Sequence, residues 1–99
     1  MDEVLLTFYC VPSDADAVAV CLRTHTAAPV HVHDETVHGH DFGDARVAEQ
    51  VMGMLKRCAV QLALPQNKVA EAVELIAKMR RAQAVQWMTT PVLARGRLA

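Results

Sequence analysis

Residues 4–22 read Val-Leu-Leu-Thr-Phe-Tyr-Cys-Val-Pro-Ser-Asp-Ala-Asp-Ala-Val-Ala-Val-Cys-Leu, and this stretch decides the fold. Its first half, Val4 to Val11, is rich in branched and aromatic side chains and apolar on both faces. That composition predicts a central β-strand covered on both sides. Pro12 should end it, because proline has no N–H to give to the ladder. Ser13 then reads as the N-cap of a helix, with Asp14 and Asp16 placing negative charge at its positive end. Ala15, Val18, Ala19 and Leu22 recur at helical spacing and form one apolar stripe. A strand running directly into an amphipathic helix is the opening of a layered helix-on-sheet domain.

The same logic extends along the chain. The helix should fade over 23–26, and Val30 to Val37 alternates, with Val30 and Val32 on one face and His31 and His33 on the other. Residues 38–44 hold two glycines and two aspartates and read as a loop. Val51 to Leu64 predicts a long strand with Met52, Met54, Cys58, Val60, Leu62 and Leu64 on one side. Arg57 and Gln61 lie on the other side, and Lys56 is a polar exception. After Pro65, Asn67 is a candidate cap for a second helix with the stripe Val69, Ala72, Val73 and Ile76. Arg80 and Arg81 suit its negative C-terminal end. Ala84 to Thr90 is a last strand, and the tail from Val92 to Ala99 shows no pattern.

The order is therefore strand-helix-strand-strand-helix-strand. Its two similar halves predict an α+β, ferredoxin-like βαββαβ domain over residues 1–99, with a four-stranded antiparallel sheet and both helices on one face. The other face should carry Leu5, Tyr9, Val37, Leu55 and Trp87, and a bare, partly apolar sheet face invites self-association.

Composition narrows the function. Ten basic residues balance eleven acidic ones in 99, giving a net charge of −1. Nothing in that balance draws the chain to a polyanion, which argues against a nucleic-acid partner. No apolar run approaches a membrane span, so no direct membrane insertion is expected. The acidic start Met1-Asp2-Glu3 is unlike a secretory signal. Three scattered cysteines without a CxxC pair fit a reducing, cytoplasmic setting.

Four of the five histidines fall within ten residues, as His31-Val32-His33 and His38-Gly39-His40. Alternate strand residues share a face, so His31 and His33 form a candidate metal grip. His38 and His40 have the opposite parity and join it only if the chain bends near Gly39. With Asp34, Glu35 and Asp41 nearby, such a set suits zinc, copper, nickel or cobalt. The plainer alternative, polar residues on an exposed strand and loop, stays open. Cys10, Cys21 and Cys58 fall on apolar stripes and read as small core residues, as do most of the five methionines. The loop from Gly39 to Gly43 lacks the lysine and hydroxyl of a phosphate cradle. Trp87, Arg95 and Arg97 make a last group, able to cross a subunit boundary or to bind an anion. No nucleophile, base and orienter stand at recognisable spacing, which favours binding over catalysis.

The pieces Gly39-His40, Ala48-Glu49-Gln50-Val51, Gly53 and Arg57, with Trp87-Met88-Thr89-Thr90-Pro91-Val92-Leu93 and Gly96-Arg97, together resemble a small uncharacterised family. Its members lie beside bacterial heavy-metal efflux systems, within the PII-like superfamily of nitrogen regulatory and divalent-cation tolerance proteins. The resemblance implies a homotrimeric regulatory or sensor protein, linked to metal homeostasis or to an efflux-system protein partner. Ligands or partners would bind in clefts between subunits, with Trp87, Arg95 and Arg97 beside them. Val37-His38-Gly39 is similar to the end of the PII second strand. Gly39, Asp41, Gly43 and Asp44 would then belong to a shortened regulatory loop. PII proteins also carry a glycine-rich basic loop for ATP phosphates before the last strand. Here that place reads Met79-Arg80-Arg81-Ala82-Gln83 without glycine, which counts against ATP.

Overall fold

A computed structural model describes residues 2–39 and 53–99. The elements are β1 (Glu3–Cys10), α1 (Pro12–His25), β2 (His31–His38), β3 (Met54–Pro65), a short 3-10 turn (Gln66–Lys68), α2 (Val69–Lys78) and β4 (Gln86–Pro91). The strands form one antiparallel sheet in the order β2-β3-β1-β4. This is the ferredoxin-like arrangement, with β1 and β3 central because their runs are the most apolar. Among the described residues, no helix is long and apolar enough to cross a membrane.

Register fixes which side chains meet the helices. Val4, Leu6, Phe8 and Cys10 of β1 stand opposite Leu64, Leu62, Val60 and Cys58 of β3. All eight are buried, and they pack with Ala15, Val18 and Leu22 of α1 and Ala72 and Ile76 of α2. The stripe expected of α1 is thus its core face, with Ala19 partly buried against it. Phe8, Leu6, Leu22 and Leu62 are the largest fully enclosed side chains. Burying each contributes on the order of 1.5–3 kcal/mol.

Both expected caps are corrected. Helix α1 starts at Pro12, two residues earlier than a Ser13 cap allows, and Val11 is its N-cap without a side-chain bond. Proline suits that first position because its missing N–H would have no intrahelical partner there. Asn67 lies inside the 3-10 turn, and α2 begins after Lys68, again without a side-chain cap. Strand β4 starts two residues later than expected and runs through Pro91, which its place on the sheet edge permits.

Candidate functional site

The end of the sheet that carries the C-termini of β1 and β2 gathers Asp34, Glu35, Thr36, Lys56 and Arg57. Beyond β2, the Gly39 N–H donates to the Gly53 carbonyl at 3.3 Å, so the β2–β3 ribbon keeps its pairing as far as these glycines. Gly53 takes φ 71°, a conformation that only glycine adopts without strain. Just inside that point a cavity of about 320 Å³ is lined by Pro12, Asp34, Glu35, Thr36, Lys56 and Arg57. It lies where α1 begins beside the two strands. Lys56 Nζ donates to Thr36 Oγ1 at 2.9 Å, and Arg57 Nη1 donates to the Lys56 carbonyl at 2.7 Å. Arg57, expected on the polar face, is 7% exposed and stands opposite Glu35 in the ladder.

Two thiols lie beneath this end. The Cys58 thiol donates to Asp34 Oδ1 at 3.4 Å. Cys10, its register partner, donates to the Cys58 carbonyl at 3.8 Å. Burial, with smaller contributions from Cys58 and Asp14, pushes the Cys10 thiol up to about 11. Burial and the hydrogen bond to Asp34 raise Cys58 as well. Both are therefore thiols at neutral pH, poor nucleophiles and poor metal ligands. The reading of Cys10 and Cys58 as small core residues fits this environment.

His31 and His33 share the open face, opposite Gln61 and Ala59. His33 Nε2 is 3.6 Å from Glu35 Oε2, with both side chains substantially exposed. His38 pairs with Met54 on the other parity. His40, Asp41, Gly43 and Asp44 lie outside the described residues, as does Ala48-Glu49-Gln50-Val51. Gly39 follows the last residue of β2. Among the described residues, no group of three or more His, Cys, Asp or Glu side chains is placed to hold a metal ion.

Trp87 requires correction. The sequence placed it on the bare face, yet it stands opposite Phe8 in the ladder. It lines a cavity of about 120 Å³ with Phe8, Val73, Ile76, Ala77, Arg81 and Val85 on the helix side. Met88 takes the open-face position instead, receiving the Tyr9 hydroxyl at 3.4 Å. The other bare-face residues, Leu5, Tyr9, Val37 and Leu55, do share that face. Beside them the Gln61 amide donates to Thr7 Oγ1 at 3.1 Å. Both helices lie on the opposite side.

At the far end of the sheet, Val92 N–H donates to the Glu3 carbonyl at 3.0 Å and Arg95 Nε pairs with Glu3 Oε1 at 3.0 Å. Leu93 and Leu98 are fully exposed, and Arg97 lies between them in the exposed tail. Sequence reasoning missed Asp14, which it treated as helix-end charge. Asp14 is 8% exposed and accepts hydrogen bonds from the connection before β4. An acidic residue directly after Pro12 and Ser13 carries no sign of a partner about 68 positions away.

Comparison with known proteins fits this geometry. A family model described as "Protein of unknown function (DUF3240)" matches residues 1–99. The chain belongs to that family. No curated protein matches it. A crystal structure of a DUF3240 family protein from Shewanella baltica is similar with TM-score 0.77 at 13% identity, covering 98% of this chain and 97% of that one. Arabidopsis thaliana PII bound to citrate is similar with TM-score 0.66 at 14% identity, over 92% of this chain and 78% of that one. CPII, a nitrogen regulatory PII-like protein from Thiomonas intermedia bound to ADP, AMP and bicarbonate, gives TM-score 0.62 at 13% identity, over 100% and 98%. The DUF3240 chain thus has a PII-like fold.

Proposed function

We propose that this DUF3240 protein is a PII-like regulatory protein that acts by binding rather than by catalysis. It self-associates through its open sheet face into a homotrimer, and takes a small ligand or a partner protein in the clefts between subunits. The observation that carries this reading is the face itself. Leu5, Tyr9 and Val37, each half-buried, and the exposed Met88 stand on the side of the sheet away from both helices, and exposed apolar patches mark interaction surfaces. The likeness to PII proteins, one bound to citrate and one to ADP, AMP and bicarbonate, supports a small-molecule role. The loop end, with its cavity bordered by Asp34, Lys56 and Arg57, is the place for it. The fully exposed Leu93 and Leu98 fit a tail that lies against a neighbouring copy, carrying Arg95 and Arg97 to its cleft. Three free thiols fit work in the cytoplasm.

Sedimentation equilibrium tests the assembly. The expected species has three times the 10.8 kDa chain mass, and a Tyr9→Asp variant falls to monomer while keeping its far-UV spectrum. A wild-type protein that stays monomeric throughout the concentration range would overturn the reading.

A second reading ties the protein to heavy-metal homeostasis through a transition-metal site. Its support is that His31 and His33 share a face. Two imidazoles are an incomplete set, so a second copy or solvent would supply the remaining ligands. Calorimetric titration with zinc, copper and nickel decides it. Tight binding lost in a His31→Ala/His33→Ala variant supports this reading, and no heat with any of the three metals removes it.

A further inference from the structure

The end of the sheet away from the loop carries another cavity, of about 370 Å³, between the C-terminus of α1 and the start of α2. Small side chains leave the space. Ala27 and Ala28 follow α1, Ala63 lies near the end of β3, and Ala72 belongs to α2. Ala72 and Leu64, which also line it, are 2% and 5% exposed and are part of the main core. The cavity therefore has an apolar floor. Ligand pockets run from about 300 to 1,000 Å³, and this one, at the small end, suits a small metabolite better than a nucleotide.

Three polar side chains border the apolar space, and each has binding capacity left. His25 Nδ1 is 2.9 Å from the Cys21 carbonyl oxygen, on the last turn of α1. A carbonyl can only accept, so Nδ1 carries the hydrogen and Nε2 of the neutral ring is an acceptor. Nε2 has no partner among the described residues. Lys68 Nζ and Glu71 Oε2 are 3.7 Å apart, with both side chains mostly exposed. That is longer than the roughly 2.7–2.9 Å of a charge-assisted hydrogen bond, and an exposed pair contributes little by itself. A ligand can engage either charge at small cost. The rim thus offers one cation, one anion and one neutral acceptor beside an apolar floor.

The matching ligand has an apolar body and carries a positive and a negative group close together. A fatty acid would set its carboxylate against Glu71, and an alkylamine would set its ammonium against Lys68. An α-amino acid satisfies both, with its carboxylate toward Lys68 and its ammonium toward Glu71 and the His25 acceptor. We propose that this cavity binds a free apolar α-amino acid of about leucine's size, with Lys68, Glu71 and His25 recognising its charged end. The inference goes beyond the regulatory reading and does not depend on the oligomeric state, because every group that builds the site lies within one chain. The site is at the opposite end of α1 from the cavity lined by Pro12.

The test is calorimetric titration of the full chain with L-leucine, L-alanine, isocaproate and isoamylamine, with the amide resonances of Ala28 and Ala72 locating the site. Isocaproate is leucine without its ammonium, and isoamylamine is leucine without its carboxylate. Leucine should bind saturably and move both resonances. Each buried methylene strengthens binding by about fourfold, so alanine, three carbons smaller, should bind at least about tenfold more weakly. Isocaproate and isoamylamine should each lose about tenfold as well, a modest scale for one unmatched charge near a surface. Glu71→Gln should weaken leucine by a similar factor and leave isocaproate no weaker. Lys68→Gln should weaken leucine and leave isoamylamine no weaker. Both side chains are exposed, so neither exchange threatens the fold. Absence of saturable leucine binding at millimolar concentration overturns the proposal. So does leucine binding that neither exchange weakens, or isocaproate binding as tight as leucine's. Ala28 and Ala72 resonances that shift with protein concentration and not with leucine would assign the cavity to a second copy, and overturn it too.

Discussion

Cys10 provides a direct check on the core that supports the loop end. Its side chain is fully enclosed, and burial with the neighbouring Cys58 and Asp14 raises the thiol from an ordinary 9.0 to about 11. In the unfolded chain the thiol ionises near pH 9, while in the folded protein it keeps its proton until about pH 11. Between these values the unfolded state binds fewer protons, so stability falls as pH rises. The Cys10 contribution is fully present below pH 9 and is lost as pH climbs through 11. Two units at about 1.4 kcal/mol each give a limit of about 3 kcal/mol, of which about 2 kcal/mol is gone at pH 11 itself. That is a large share of the roughly 5–15 kcal/mol that stabilises a domain. Urea denaturation of wild type and Cys10→Ala at pH 8 and pH 11 isolates it. Other groups titrate in both proteins, and the methylene and sulfur packing lost in the variant does not depend on pH. The wild-type advantage should shrink by about 2 kcal/mol over this interval. An advantage that stays constant within a few tenths of a kcal/mol would refute the assignment of Cys10 as a desolvated core thiol.

Three further outcomes follow from the same structure. Leu22→Ala, at a fully enclosed position of α1, should cost about 2–5 kcal/mol in urea denaturation, the range for a buried leucine. Gly53→Ala should cost about 1–2 kcal/mol from backbone conformation alone, because φ is 71° and an added Cβ would meet only the Gly39 carbonyl oxygen at an ordinary 3.9 Å. Gly53→Asn, which tolerates that conformation better, should lose less in the same thermal melt. Arg95→Ala should change monomer stability by less than about 1 kcal/mol, since its pair with Glu3 is exposed. A larger loss on dilution-sensitive melting would indicate that the tail is held by another copy.

The fold was legible because the central strands carry it. Val4 to Cys10 and Cys58 to Leu64 are apolar enough to fix their place beneath the helices, and their alternation placed Leu5, Tyr9 and Leu55 on the open side. The last strand was not legible in the same way. Trp87 and Met88 are adjacent and both apolar, so composition cannot choose which faces the helices. The choice is made by pairing with Phe8 and Tyr9, a contact across nearly eighty positions. The caps failed for a local reason. Pro12 occupies the first helical turn itself, where a preset φ replaces a capping side chain. The candidate site was legible in part. Paired histidines announce a shared face, but the unbroken strand puts His38 on the other side of the sheet from His31 and His33, and His40 lies outside the described residues. The partnership of Asp14 with Ala82 and Gln83 leaves no trace in periodicity or spacing, because one half of it is backbone.

That last partnership bears on how the loop end can work. In a domain of this topology the start of α1, the end of β2 and the entry to β4 all lie at one end of the sheet. A ligand at that end therefore meets segments that are far apart in the chain. Here one of those junctions is already tied, carboxylate to amide, and the cavity at the same end is bordered by Asp34, Lys56 and Arg57. A tied junction transmits strain as a unit: displacing the start of α1 must also displace the entry to β4 and, through it, Trp87 over the helix side of Phe8. Binding near Pro12 would then be felt at Trp87, which is the chain's only tryptophan. Its fluorescence should respond to ligands at the loop end in wild type and lose that response in Asp14→Ala, where the tie is cut. A response of equal size in both proteins would mean that the two segments move independently, and that the Asp14 contact does not couple them.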